Sequence, residues 1–216
     1  KGGKAMLYVY ILLGICGATI VITLITATIV ECVKVVQSKK LFSKEKIQEY
    51  ENSLEQYFID NQLSSDDSLE ELCKLNDIKV IETPQTSKKL KGREAVVYEE
   101  NKKYVIYVDE CLNKKHKRFA IAHEFAHIVK GDKPLPAARD GHSLLMRSPT
   151  EQVRDYIAAA ILLPMDEFET MFKNAEYDKC DKKGKQKFIE QVSTLKCVET
   201  DVVIRRIIEY KTLMTD

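Results

Sequence analysis

The feature that most constrains this chain is a His-Glu-x-x-His motif inside residues 118–129, an apolar run with helical spacing. Residues four apart lie on one face of a helix, so His123 and His127 can direct two imidazoles at one metal ion. Glu124 is turned by about 100° from His123 on such a helix. Its carboxylate is therefore expected beside the metal rather than on it, close to a water molecule that the metal would hold.

This set of residues is the one that a metal-dependent hydrolase requires: two neutral nitrogen ligands and a carboxylate that takes the proton of water. The alternative is a coincidence of spacing. Histidine is rare in this chain, with four in all, and both imidazoles stand among apolar residues, where buried polar groups need partners. The pattern therefore favours a metal site.

A catalytic zinc site normally has three protein ligands and one open position, so a third ligand is expected downstream. The next helical run, residues 149–163, carries Glu151 and Asp155 four residues apart on one face. Glu151 is the candidate third ligand, and Asp155 is the candidate acceptor for the second N–H of a ligand histidine. Two alternatives stay open, a solvated acidic face and Cys111 as a ligand, although we interpret Cys111 as a buried thiol.

Three stretches of the sequence resemble the ImmA/IrrE-type zinc metallopeptidases. The first is Arg-Phe-x-x-Ala-His-Glu-x-x-His at residues 118–127. The second is residues 151–164, which end in Leu-Leu-Pro, and the third is a helix-like segment near the end of the chain, at residues 198–207. The resemblance covers roughly residues 45–213. It implies that His123, His127 and Glu151 bind zinc and that Glu124 is the general base. It also implies a protein substrate, typically a DNA-binding repressor cut at a limited site.

The sequence departs from the family pattern at three positions near these motifs. Ala126 stands where glycine is usual, Arg154 where a small residue is common, and Ile157 where phenylalanine is found. Alanine favours a helix more than glycine does, and the arginine is long enough to extend away from the core. No predicted ligand is lost, so we expect an active enzyme.

The pattern of the whole chain predicts an α+β fold, a mostly α-helical zincin-like domain with a small antiparallel sheet of about three strands. Strands are predicted at residues 78–81, 94–98 and 103–108, the last two as a hairpin. A helix is predicted at residues 44–61, and residues 178–187 are interpreted as a solvated connection. His142, in the loop before residue 150, is either a surface residue or a group that steadies an oxyanion.

The N-terminal segment is predicted to be a membrane anchor. Residues 5–30 contain no charged side chain, a length that can cross about 30 Å of hydrocarbon. A cleaved signal peptide would have a shorter apolar core, and a buried helix would normally show a polar face. Lysines after the segment predict a single-pass protein with a cytoplasmic catalytic domain. The predicted domains are residues 1–31 (transmembrane anchor), 32–44 (juxtamembrane linker) and 45–216 (metallopeptidase domain).

Charge and cysteine content narrow the class further. The formal net charge is +1, so nothing indicates direct nucleic-acid binding. Six cysteines without a Cys-x-x-Cys pair favour free thiols in a reducing compartment.

We therefore predict a zinc endopeptidase in which Glu124 activates a zinc-bound water against a protein or peptide substrate. The main alternative is a non-catalytic, membrane-anchored zinc-binding regulatory module, and a hydrolase of small amides is a second. The same ligand types also suit manganese, iron or cobalt.

Overall fold

Helices make up most of the described residues, and a three-stranded sheet lies against one of them. The structure, a computed structural model, describes residues 43–64, 67–131 and 149–215. Within these residues the α-helices are α1 (Lys44–Asp60), α2 (Leu69–Leu75), α3 (Lys114–Val129), α4 (Pro149–Leu162), α5 (Met165–Asn174), α6 (Lys182–Leu195) and α7 (Thr200–Met214). The strands are β1 (Lys79–Thr83), β2 (Ala95–Glu100) and β3 (Lys103–Asp109), and a 3-10 turn spans Tyr177–Lys179. The predicted mostly helical α+β class is confirmed.

The sheet is mixed, and here the prediction was wrong. Strands β2 and β3 form the predicted antiparallel hairpin, with Val97 opposite Ile106. Its turn is made by Asn101 and Lys102, both with positive φ. Strand β3 is central, however, and β1 pairs with it in parallel, with Val80 opposite Ile106. The chain between β1 and β2 therefore crosses to the far side of β3 instead of turning back beside β1.

Helix α3 lies between the sheet and helix α4. On the sheet side, Ala95 and Val108 pack against Ala120. On the other side, α4 forms the centre of the fold, because its residues 155–162 are all buried. Alanines at residues 158–160 let neighbouring helices approach closely. A helix that is apolar on all sides belongs in a core, and this position brings the polar first turns of α4 next to α3.

The segment at residues 178–187 was predicted as a solvated connection, but α6 begins within it, at Lys182. Asp181 caps this helix, since its Oδ1 accepts a hydrogen bond of 2.7 Å from the Gly184 N–H. Capping by aspartate stabilises a helix start by about 1 kcal/mol. That local contact offsets the glycine and the run of charged residues that follow it.

The predicted localisation, a single-pass membrane protein with a cytoplasmic catalytic domain, is corrected. In the described ranges no helix is both long and apolar enough to cross a bilayer. The longest one, α1, has 17 residues, which at 1.5 Å per residue gives about 25 Å. The proposed anchor at residues 1–31 lies outside the described residues, as does most of the proposed linker, and the domain boundaries stay a prediction.

Candidate metal centre

Helix α3 places the three residues of the His-Glu-x-x-His motif in the interior. His123 is fully buried, and Glu124 and His127 are 5% and 8% exposed. The two imidazole rings lie one helical turn apart, with centroids 5.3 Å from each other. Asn113 fixes the start of this helix by accepting the His116 N–H through its side chain. The local sequence is therefore sufficient to set the spacing of the two histidines.

Helix α4 supplies two carboxylates that hold the His123 ring at both of its nitrogens. Oε2 of Glu151 lies 3.0 Å from Nε2 of His123, and Oδ1 of Asp155 lies 2.7 Å from Nδ1. Asp155 is fully buried. The structure thus brings together the two predicted α4 residues and the first motif histidine, in the arrangement expected of a ligand pair with a carboxylate behind the imidazole.

The donor set fits a zinc ion, as judged from its chemistry and spacing. Zinc bonds to nitrogen and oxygen are about 2.0–2.1 Å, so neighbouring ligands of a tetrahedral ion are about 3.3 Å apart. The 3.0 Å between His123 Nε2 and Glu151 Oε2 is close to that value. The hydrogen bond between these two atoms contains one proton, and a cation in the position of that proton would contact both atoms. His127 offers a further nitrogen donor, with the Glu124 carboxylate beside it, because His123, Glu124 and His127 each offer an atom within 4.8 Å of the others.

Glu151 is held in the ionised form that binds cations. The hydrogen bond with His123, assisted by electrostatic interactions with both motif histidines and Arg154, lowers the pKa of Glu151 to about 2, although burial acts in the opposite direction. Arg154 Nη1 lies 3.1 Å from Glu151 Oε1. This arginine was expected to extend away from the core, but it is largely buried beside the predicted ligand. The Glu151–Arg154 spacing of three residues on a helix is the signal that indicates such a pair.

Glu124 contacts the sheet, a contact that the sequence did not predict. Its Oε2 accepts a hydrogen bond of 3.0 Å from the backbone N–H of Val97 on β2. The bond fixes the orientation of the carboxylate beside the two histidines. It also gives Glu124 a structural use, so the presence of a glutamate at this position does not by itself separate a catalytic site from a structural one.

Two other candidates from the sequence are placed as follows. Cys111 is exposed rather than buried, and it is not a member of the cluster formed by His123, Glu124 and His127. Its backbone N–H donates a hydrogen bond of 2.9 Å to Oδ1 of Asp109 in the turn before α3. His142 lies outside the described residues. Thiols are free at all four cysteines of the described ranges, in agreement with the prediction for these positions.

The arrangement of an HExxH helix, a neighbouring helix with carboxylates and a small sheet defines a metallopeptidase-like domain. Residues 73–194 match the peptidase M78 family, described as an IrrE N-terminal-like domain. This match spans more than half of the chain, and the protein therefore belongs to that family, a family of metallopeptidases. No curated protein matches the chain significantly. The matched residues include α3 and α4 and end before α7, so the resemblance seen at residues 198–207 lies beyond them.

Replacement of Asp155 by asparagine tests the contact behind His123. Asparagine keeps the size of the side chain but removes the negative charge that makes the imidazole a better donor to a cation. We expect Asp155→Asn to weaken zinc binding about 10-fold, at the lower end of the range for such partners. Competition with a chromogenic chelator measures it. Asp166→Asn, at an exposed position of α5, is the control, and equal affinities for the two variants would contradict the role of Asp155.

Proposed function

We propose that the chain is a zinc-dependent endopeptidase that makes limited cuts in a protein substrate. His123, His127 and Glu151 would hold the zinc ion. The observation that carries the proposal is the pair of contacts on His123, with Glu151 at Nε2 and buried Asp155 at Nδ1. Residues selected only for packing would not place two carboxylates on the same buried imidazole, because removing charged groups from water costs free energy.

Zinc, when bound, would lower the pKa of a water molecule and polarise the scissile carbonyl. The side chains of this protein then have distinct tasks. Glu124 accepts the proton of the attacking water and returns it to the leaving amine. The Val97 N–H keeps the Glu124 carboxylate oriented during both transfers. Asp155 holds the imidazole of His123 in the tautomer that directs Nε2 at the metal position.

Family membership supports a peptidase in general, and the particular substrate is our proposal. The resemblance to ImmA/IrrE-type enzymes favours a transcriptional repressor, that is, a DNA-binding protein cut at one or a few sites. The peptidase would recognise that protein and not its DNA, in keeping with the near-neutral charge of the chain. The alternative is a zinc-binding regulatory module without catalysis, which the structural contact of Glu124 with Val97 also allows.

Metal removal and restoration test the proposed function directly. The 216-residue chain should contain about one zinc ion per molecule and cut members of a peptide library. Treatment with 1,10-phenanthroline should abolish cleavage, because the attacking water loses its activating ion, and added zinc should restore it. Mass spectrometry of the digest gives the cut sites. A chain that holds about one zinc ion but cuts neither the library nor a panel of repressors would contradict the peptidase and favour the module.

A further inference from the structure

A buried network of charges joins the C-terminal helix α7 to the centre of the fold. Arg206 and Glu209 are fully buried, and Arg205 is 8% exposed. Glu209 accepts from both arginines, with Arg205 Nε at 2.9 Å from Oε1 and Arg206 Nη1 at 2.9 Å from Oε2. Each arginine keeps a second guanidinium nitrogen for a partner on another helix. The two arginines of α7 can therefore also form hydrogen bonds with other helices.

Those remaining nitrogens reach helix α4 along two routes. Arg205 Nη2 donates a bond of 2.8 Å to the backbone carbonyl of Gln152. Arg206 Nη2 donates a bond of 3.0 Å to Oε1 of Glu51 on α1, and the same oxygen accepts the Tyr156 hydroxyl at 2.7 Å. The network thus holds α4 at Gln152 and at Tyr156, one helical turn apart.

These two residues follow directly after the two carboxylates of the metal centre. Glu151 precedes Gln152, and Asp155 precedes Tyr156. Successive residues of a helix are about 100° apart, so Glu151 and Asp155 lie on a first face of α4, toward α3, while the Tyr156 side chain lies on a second face, toward Glu51 of α1. Gln152 is held at its backbone carbonyl by Arg205 of α7. These two fixed points, one on the backbone and one on a side chain, restrict how far α4 can rotate about its axis and shift along it. That rotation and that shift decide where the carboxylates on the first face lie.

We propose that Arg205 and Arg206 are positioning residues for the metal centre, acting through α4. The inference rests on the proposed function, since it concerns the site that would hold zinc. Metal ligands must be placed within about 0.2 Å, whereas the hydrophobic effect that drives apolar packing is non-directional. Arginine forks have fixed geometry, and a buried pair that is broken leaves an uncompensated charge. Such a network is therefore suited to hold one helix at one register.

None of the side chains Glu51, Arg205, Arg206 and Glu209 lies within residues 73–194, the part matched by the family. The matched segment contains the predicted ligands and the base, but the charged side chains that bond to Gln152 and Tyr156 come from helices on either side of that segment. The positioning contacts proposed for this chain therefore lie on α1 and α7, outside the matched segment.

Arg205→Lys in the 216-residue chain tests the proposal. Lysine keeps the positive charge near Glu209 but cannot bond Glu209 and the Gln152 carbonyl together through a planar fork. We expect zinc binding to weaken about 3-fold to 10-fold, somewhat less than for a group in direct contact with a ligand. We also expect the visible absorption bands of the cobalt-substituted protein to change, because they depend on the arrangement of ligands around the ion. Arg205→Met, which removes the charge, should show the same changes more strongly.

A destabilised core variant separates positioning from general stability. Phe188→Leu alters a buried ring that packs against Phe168 and Phe172, and it should lower the melting temperature of the metal-free chain by about 5 °C. Its cobalt spectrum and zinc affinity should equal those of the parent. If Arg205→Lys behaves in the same way, with a lower melting temperature and an unchanged spectrum and affinity, the positioning role is refuted. If the parent chain itself binds no zinc or cobalt, the proposed function fails, which is a different result.

Discussion

Glu124→Gln is expected to retain about one zinc ion per chain and to cut its substrate about 10²–10⁴ times more slowly than the parent, the usual contribution of a general base. The amide of glutamine cannot accept the proton of the attacking water. Its carbonyl oxygen can, however, still accept the Val97 N–H that the Glu124 Oε2 accepts in the structure. The substitution therefore removes the proposed chemistry and keeps the proposed support. Cleavage rates and zinc content measured on the same preparation give the result.

Two companion variants make this result interpretable. Glu99→Gln makes the same chemical change at an exposed position of β2 and should leave rate and zinc content unchanged. Glu124→Ala also removes the acceptor for the buried Val97 N–H, and leaving such a donor unsatisfied costs about 1–3 kcal/mol. It should therefore be less stable than Glu124→Gln. Full cleavage activity in Glu124→Gln would show that another group is the base, and loss of zinc in that variant would make Glu124 a ligand instead.

The candidate site was predictable where it depends on spacing within one helix. His123 and His127 share a face because they are four residues apart, and the same rule pairs Glu151 with Asp155. The contact between the two pairs was an inference from chemistry, since a zinc ion needs a third protein ligand. Contacts made by backbone groups gave no signal. The Val97 N–H that holds Glu124, and the Gln152 carbonyl that receives Arg205, depend on register and packing between distant segments.

In the sheet, too, the contacts between neighbouring segments were predictable and the pairing of distant segments was not. The alternation of residues around Asn101 and Lys102 was sufficient to predict the β2–β3 hairpin. Strand β1 was also recognised, within two residues of its observed ends. Its direction relative to β3 was not, because a strand pattern records which face is buried but not which neighbour the strand pairs with. Residues 178–187 show a different error. Their charged residues and Gly184 predicted a connection without helix, but the cap from Asp181 allows a helix to begin at Lys182.

Glu151→Ala is expected to have the largest effect on metal binding, with zinc affinity reduced by more than about 100-fold, beyond the range seen for groups behind a ligand. The carboxylate that lies 3.0 Å from His123 Nε2 would be gone, and alanine offers no donor. The loss should also appear as stability. At a zinc concentration of about 100 times the dissociation constant of the parent, binding adds about 2.7 kcal/mol, or about 5–10 °C in melting temperature for a domain of this size. Glu151→Ala should show almost none of that zinc-dependent shift.

This experiment also decides between the two carboxylates that stand near the histidines. Glu124 offers a donor within 4.8 Å of those of both His123 and His127, whereas Glu151 is bonded to His123 from a separate helix. If Glu151 is the ligand, Glu151→Ala loses the zinc-dependent shift and Glu124→Gln keeps it. The reverse pattern would assign the ion to Glu124 and end the case for catalysis by that residue. Glu55→Ala removes a negative charge at an exposed position of α1. It should keep the zinc-dependent rise in melting temperature of the parent, which would show that loss of a negative charge elsewhere does not abolish zinc binding.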